Sequence, residues 1–293
     1  MESWAEKYRP ESLSDIIGNT KVINDLKTWA KSWGDKMVKK GVILSGPPGC
    51  GKTSAAIALA NDMEWEVIEL NASDARSGAV IEGTALRAGL FQTFGSKGLA
   101  DRNLILLDEA DNLYERAKQS KNKTKNYSDR GGKRAITKTL EQTRQPVVIT
   151  VNDLYNLTKG TGSKIKRLCL NLKFQRPSVI SIATVLQNIC EKEGLEISNE
   201  SIRAMAENVK GDLRGAINDL QSLSEGNKTI GQEDLEKLGS RDRETEMFET
   251  LNSIFHGTTF DEPRTAIFDL NEQPRDVATW VSDNIPIVYK NPS

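Results

Sequence analysis

Five short apolar runs punctuate the first 175 residues: GVILSG (41–46), EVIELNAS (66–73), LILLDEAD (104–111), PVVITVND (146–153) and LCLNLKF (168–174). Runs of this length that are mostly apolar mark strands buried on both faces, and segments of helical period lie between them. The alternation predicts an α/β fold, a parallel sheet covered by helices on both sides. From about residue 175 the texture changes. Helical-period segments at 178–194, 198–208, 212–224 and 232–238 follow one another, punctuated by Gly194, Gly211 and Gly226. The expected organisation is an α/β domain over 1–175 with a boundary near Arg176 and Pro177, a helical domain over 176–240, and two or three further helices over 241–293.

One stretch departs from this globular texture. ERAKQSKNKTKNYSDRGGKRAITK (115–138) carries nine Lys or Arg against two acids, and its first half is so poor in apolar residues that a mobile loop is expected. Over the whole chain the charge is balanced, 40 Lys plus Arg against 41 Asp plus Glu, so net charge predicts no partner. Cys50, Cys169 and Cys190 are far apart, with no CxxC pair and a single histidine, His256, which argues against structural zinc and suits a reducing compartment. No window approaches the roughly 20 apolar residues of a spanning helix, and MESWAEKYRP lacks the basic start and apolar run of a signal peptide. An intracellular protein with no membrane role is expected.

The chemistry is concentrated at two of the strand ends. Gly46 to Thr53 matches G-x-x-x-x-G-K-[ST] between a buried strand and an Ala-rich helix. Glycines let backbone N–H groups close around phosphate, Lys52 reaches the terminal phosphates, and the Thr53 hydroxyl suits magnesium. In LILLDEAD, Asp108 and Glu109 end a central strand: Asp108 is the expected second magnesium ligand, and Glu109 the group that orients and deprotonates the attacking water. Asn152 ends VVITVN, where it either positions that water from the opposite side or caps the next helix. Arg214, in GDLRGAIND, either reaches the γ-phosphate or is a solvated helix residue.

The set EKYRP (6–10), DIIGN (15–19), GPPGCGKT (46–53), NASDAR (71–76), LLDEAD (106–111), ITVND (149–153) and GDLRGAIND (211–219) resembles replication factor C, the AAA+ clamp loader, in order and spacing over roughly residues 1–240. Trp4, the LKTWAKSW helix and GPPGCGKTSAA are most similar to large subunits of the archaeal complex. The resemblance implies an AAA+ P-loop domain, a helical lid and the start of a helical collar. It implies an ATPase that uses ATP and Mg2+ to open a sliding clamp of the PCNA type and load it on primer-template DNA, in a hetero-oligomer with small subunits. Tyr8, Arg9, Pro10, Ile17 and Gly18 would line the adenine pocket; Gly46, Pro47, Pro48, Gly49, Cys50, Gly51, Lys52, Thr53 and Ser54 would hold the phosphates. Asn152 and Arg214 become the two sensor residues. An AAA+ DNA motor such as a branch-migration helicase or helicase loader, or a scaffold that binds ATP without turnover, are the competing readings.

The resemblance also implies macromolecular surfaces. Arg130, Lys133, Arg134 and Lys138, at helical spacing, would meet DNA phosphates without reading bases. Leu90, Phe91 and Phe94 in GLFQTFGSKG would form an apolar wedge for the clamp, or pack under their own domain. Small subunits of the family carry a Ser-Arg-Cys motif before the last core strand. In SKIKRLCLNLKFQRP, Leu168 precedes Cys169 and Arg167 lies one residue early, where an extended chain would turn its side chain the other way. The expectation is a subunit that receives an arginine finger and donates none.

Overall fold

The computed structural model describes residues 3–33, 39–71, 102–112, 132–225, 229–231, 250–256, 263–264, 267 and 274–288. All five apolar runs are strands of one parallel sheet: β1 (Gly41–Ser45), β2 (Glu66–Asn71), β3 (Asn103–Asp108), β4 (Val147–Val151) and β5 (Cys169–Lys173), in the order β2-β3-β4-β1-β5. Parallel neighbours need crossover segments, and the helices supply them. In chain order these are α1 (Trp4–Lys7), α2 (Thr20–Lys31), α3 (Lys52–Asp62), α4 (Gly132–Gln142), α5 (Leu154–Thr158) and α6 (Ser163–Leu168).

Period-two alternation divides the core into two layers. Val42, Leu44, Leu104, Leu106, Val148 and Leu172 face α2 and α3, where Leu26, Trp29, Leu59, Trp65 and Phe174 complete one cluster. Ile43, Ile105, Leu107, Val147, Ile149 and Cys169 face the other way, onto Ile136 and Leu140 of α4, Leu157 of α5 and Ile165 of α6. The central strands β1 and β4 are buried at every residue, as strands covered on both faces must be.

Three further helices follow the sheet: α7 (Val179–Glu193), α8 (Asn199–Asn208) and α9 (Leu213–Ser224). Ser178 caps α7 by accepting from the Ser181 N–H, and Gly194 ends it at φ 66°, a left-handed conformation that costs glycine little. The chain forms two compact units, Met1–Leu195 with Ile202–Ser222, and Glu196–Ser201 with Leu223–Ser293. The first unit thus runs across residues 175 and 176, where the sequence changes texture. The N-terminal segment binds the later helices within the first unit: the Trp4 N–H donates to Gln221 Oε1 at 2.8 Å, and the Tyr8 hydroxyl donates to Glu193 Oε1 at 2.5 Å.

The second unit contains something the helical reading missed, a two-residue parallel ladder pairing Glu196–Ile197 with Thr229–Ile230. Too short to show a period, it left no mark in the sequence pattern. Leu251 and Val277 form a small apolar cluster with Ile254, Phe255, Ile267 and Val281, in which Val277 and Val281 belong to the helix Pro274–Val288. The expected helix at 232–238 lies outside the described residues.

All three cysteines are buried. Burial pushes the Cys169 thiol up to about 12 and Cys190 up to about 11, and it also raises Cys50. Thiolate is the reacting form, so at neutral pH these groups are protected both chemically and sterically. A disulfide exchange reagent should label none of the three in the folded protein over the time in which free cysteine reacts fully, and all three after denaturation. Titration of released chromophore measures both.

Candidate functional site

Parallel pairing sends every strand to the same edge, and register decides which side chains meet there. Leu107 pairs with Ile149, so Asp108 emerges beside Thr150, and Ser45 pairs with Val151. Asp108 shares the parity of Leu104 and Leu106, and Thr150 and Asn152 that of Val148. All three therefore point to the α3 side of the sheet, toward the loop between β1 and α3. An open α/β sheet offers its ligand crevice at this edge.

The loop 46–51 turns into α3, whose first backbone N–H groups have no helical partner and face the loop. Gly51 caps the helix at φ 93°, with no atom within 4 Å of where a Cβ would stand. Gly46 has the opposite constraint: a Cβ there would lie 2.6 Å from the Phe174 carbonyl oxygen. Lys52 is 8 % exposed, and its Nζ donates to the carbonyl oxygens of Gly46 and Pro47 and to Asn152 Oδ1, each at 2.8 Å. Burial lowers its pKa, and the acidic neighbours Cys50, Asp111, Asp108 and Glu109 oppose that shift. A desolvated ammonium beside helix-start N–H groups fits a polyphosphate.

Next to it, the Thr53 hydroxyl donates to Asp108 Oδ1 at 2.9 Å, and the Thr150 hydroxyl donates to the same oxygen. Thr150 Oγ1 in turn accepts from the Glu109 N–H at 3.1 Å. A hydroxyl and one carboxylate, both hard oxygen donors, fit Mg2+, which keeps waters and phosphate oxygens as its other ligands. Among the described residues no cluster of three or more His, Cys, Asp or Glu could hold a metal alone. Glu109 is exposed and left-handed at φ 53°, so the chain bends away from the strand line at this residue. Asn152 is exposed, and its amide oxygen accepts from Lys52 Nζ.

The sequence reading missed Thr150 and Asp111. Thr150 stands two residues before Asn152, the spacing that puts both on one strand face, and that spacing was the available signal. Asp111 Oδ2 accepts from the backbone N–H groups of Asn152 and Asp153 at 3.1 and 2.9 Å.

Around this centre the N-terminal segment and α9 approach. Gly49, at φ 69°, has no room for a side chain, since a Cβ would lie 1.9 Å from Asp212 Oδ1. That same oxygen accepts the Gly215 N–H at 3.0 Å, so the phosphate loop packs against the start of α9. Arg214 is exposed and pairs with Glu6 at 3.4 Å, and Glu6 also pairs with Arg9 at 3.1 Å. Tyr8, Arg9, Pro10, Ile17 and Gly18 are all part-buried, and the space where a Gly18 Cβ would point is open for 4 Å. Asn19, left-handed at φ 52°, bonds both backbone groups of Gln175, giving Nδ2–H to the carbonyl at 3.0 Å and taking the N–H at 2.8 Å. Pro47, Pro48, Cys50 and Ser54 complete the loop, with Pro48 exposed and Cys50 buried.

Two expectations need correction. Lys133 is only 3 % exposed: its Nζ donates to the carbonyl oxygens of Asn156 and Lys159, at 2.8 and 3.3 Å, and ties α4 to α5. A lysine fixed in this way is a structural strut and cannot also neutralise a DNA phosphate. Arg134 and Lys138 are exposed on α4 one turn apart, as expected from their spacing. The second correction concerns Arg167. Residues 163–168 are helical and not extended, so the alternation argument does not apply; Arg167 is exposed in the last turn of α6. Arg130, Leu90, Phe91 and Phe94 lie outside the described residues.

Residues 42–168 match the family described as "ATPase family associated with various cellular activities (AAA)", residues 1–80 the "Rad17 P-loop domain", and residues 184–224 the "RCF1/5-like, AAA+ ATPase lid domain". The chain is 42% identical over 98% of its length to the replication factor C large subunit of Methanosarcina mazei, of which it covers 44%. It is 40% identical over 99% of its length to that of Methanothrix thermoacetophila, of which it covers 58%. It thus spans about half the length of the curated relatives it matches. Among solved structures, a RuvB variant from Thermotoga maritima superposes with TM-score 0.63 over 96% of this chain and 89% of its own, at 17% identity, a likeness of fold alone. With the five-stranded parallel sheet, the phosphate loop and the lid match at hand, the chain has an AAA+ ATPase fold, and nearly its whole length is similar to replication factor C large subunits.

Proposed function

We propose that this chain is the ATP-driven part of a clamp-loader large subunit, and that it binds and hydrolyses MgATP to open a sliding clamp and load it on primer-template DNA. The observation that carries the reading is the convergence of Lys52, Thr53, Asp108, Glu109 and Asn152 on one sheet edge, with the hydrogen bonds of Lys52 and Asp108 already made. Thr53 and Asp108 would hold Mg2+, which would supply charge neutralisation for the phosphates. Lys52 binds the phosphates, and Thr53 and Asp108 present oxygens to the cation. Glu109, at the bend after β3, accepts the proton of the attacking water. Asn152 holds that water in line. The close relatives named replication factor C favour clamp loading over another DNA motor, since the likeness to RuvB extends to the fold alone.

The division of labour between Lys52 and Glu109 is testable by separating binding from turnover. Lys52→Ala should abolish ATP binding, because the loop loses its buried cation, whereas Glu109→Gln should bind ATP with affinity within a few-fold of the parent and turn it over at least ~100-fold more slowly. Equilibrium binding of a fluorescent ATP analogue and steady-state ATPase in the complex with small subunits distinguish the two. Equal loss of affinity in both variants would contradict the assignment.

Arg134 and Lys138 are the surface proposed to face DNA. Replacing both by Ala should lower the slope of log affinity against log salt by about one unit for each phosphate no longer neutralised, with sequence preference unchanged. Lys133→Ala should leave the slope alone and lower Tm, because two carbonyls lose their donor. Titration of the assembled complex with primer-template DNA at several salt concentrations reads the first effect, and calorimetry the second.

The subunit is further proposed to receive an arginine finger from a neighbour. ATP turnover by the isolated chain should then be slow, rising on the order of 10³-fold when a small subunit docks. Turnover at the same rate with and without that subunit would remove the need for a finger.

A further inference from the structure

We infer that Asp111 is the positioning residue for Asn152, the group that sets where the sensor amide stands between the Lys52 ammonium and the attacking water. The inference rests on the reading of Lys52 and Asn152 as parts of the ATP site.

The pairing of β3 with β4 ends at Leu107 and Ile149, so beyond those residues no sheet hydrogen bond fixes one strand end against the other. Side chains take over. The Thr150 hydroxyl joins the two ends through Asp108 and the Glu109 N–H. Past Thr150 the task falls to Asp111, in the turn Ala110–Asn112, whose Oδ2 accepts both the Asn152 and the Asp153 N–H. Two adjacent backbone donors on one carboxylate oxygen fix the peptide plane between them, and with it the direction in which the Asn152 side chain leaves the chain. The Asn152 amide oxygen is then directed at Lys52 Nζ, 2.8 Å away. Asp153, the second residue held, accepts the Tyr155 N–H and starts α5, so the tie also sets where that helix begins.

The other carboxylate oxygen points the same way. Asp111 Oδ1 is buried and makes no hydrogen bond among the described residues. A buried acceptor without a donor is costly, and an Asp at a turn has solvent-facing alternatives in most settings. Here the carboxylate stays inside because its partner oxygen is engaged twice. The arrangement favours the fixed position of Asn152 over the solvation of Asp111.

The test separates this positioning role from a structural one and from failure of the site reading. In the complex with small subunits, Asp111→Ala should lower kcat for ATP on the order of 10-fold, with nucleotide affinity within about 3-fold of the parent, since water alignment is lost while the phosphate loop is intact. Combined with Asn152→Ala it should lower kcat little further, because both remove one function. Hydrogen exchange at the Asn152 and Asp153 amides should quicken in Asp111→Ala and stay protected in Asp111→Asn, whose amide oxygen takes the place of Oδ2, and Asp111→Asn should keep most of the kcat. Independent, multiplicative losses in the double variant, or exchange unchanged in Asp111→Ala, would overturn the proposal. If Asn152→Ala itself left kcat unchanged, the role of Asn152 in hydrolysis would fail, and the exchange readout would still decide whether Asp111 fixes the strand end.

Discussion

The hydrogen-bond register between β1, β3 and β4 is the constraint on which this molecule depends. Parallel strands that end together give a sheet one chemical edge, and a shift of one residue between β3 and β4 would move Asp108 away from Thr150 and turn one of them into the opposite layer. The register is held by the two apolar layers, because Leu106 and Val148 face α3 while Leu107 and Ile149 face α4. Burial of aliphatic side chains thus sets the separation of polar ones. The chemistry at the edge inherits its geometry from the core.

Within that geometry, Lys52 concentrates the electrostatics. An ammonium with 8 % exposure has lost most of its water and regains hydrogen bonds from two loop carbonyls and one amide oxygen. Burial lowers its pKa, and the nearby carboxylates oppose that shift. The same network links the loop to β4 through Asn152 and, by way of Asp111, to the turn after β3. Two hydrogen bonds in series connect Lys52 with Asp111.

Much of this was legible in the chain. The five strands followed from apolar runs, the phosphate loop from its glycines and lysine, and Asp108 and Glu109 from their position at a strand end. What stayed hidden shares a physical cause. Lys133 and Arg134 are neighbours of the same charge class, yet one is buried and the other exposed, because a helix turns by about 100° per residue and the face that meets a neighbour depends on the crossing of α4 with α5. Composition cannot see that angle. Thr150 and Asp111 act through hydrogen bonds to groups about 40 residues away, and such pairings follow from register and not from local pattern. The argument that Arg167 lies in an extended chain failed because residues 163–168 form a helix directly before β5.

Glu109 has one more consequence, for the balance between durability and work. A glutamate in the left-handed region carries backbone strain on the order of 1–3 kcal/mol that a glycine or asparagine would largely relieve. That is a sizeable share of the stability of an ordinary domain. Selection for heat resistance alone would accordingly favour glycine at this position, and such variants would lack the carboxylate that the proposed hydrolysis requires. The bend after β3 is a place where a weaker backbone goes with an exposed carboxylate.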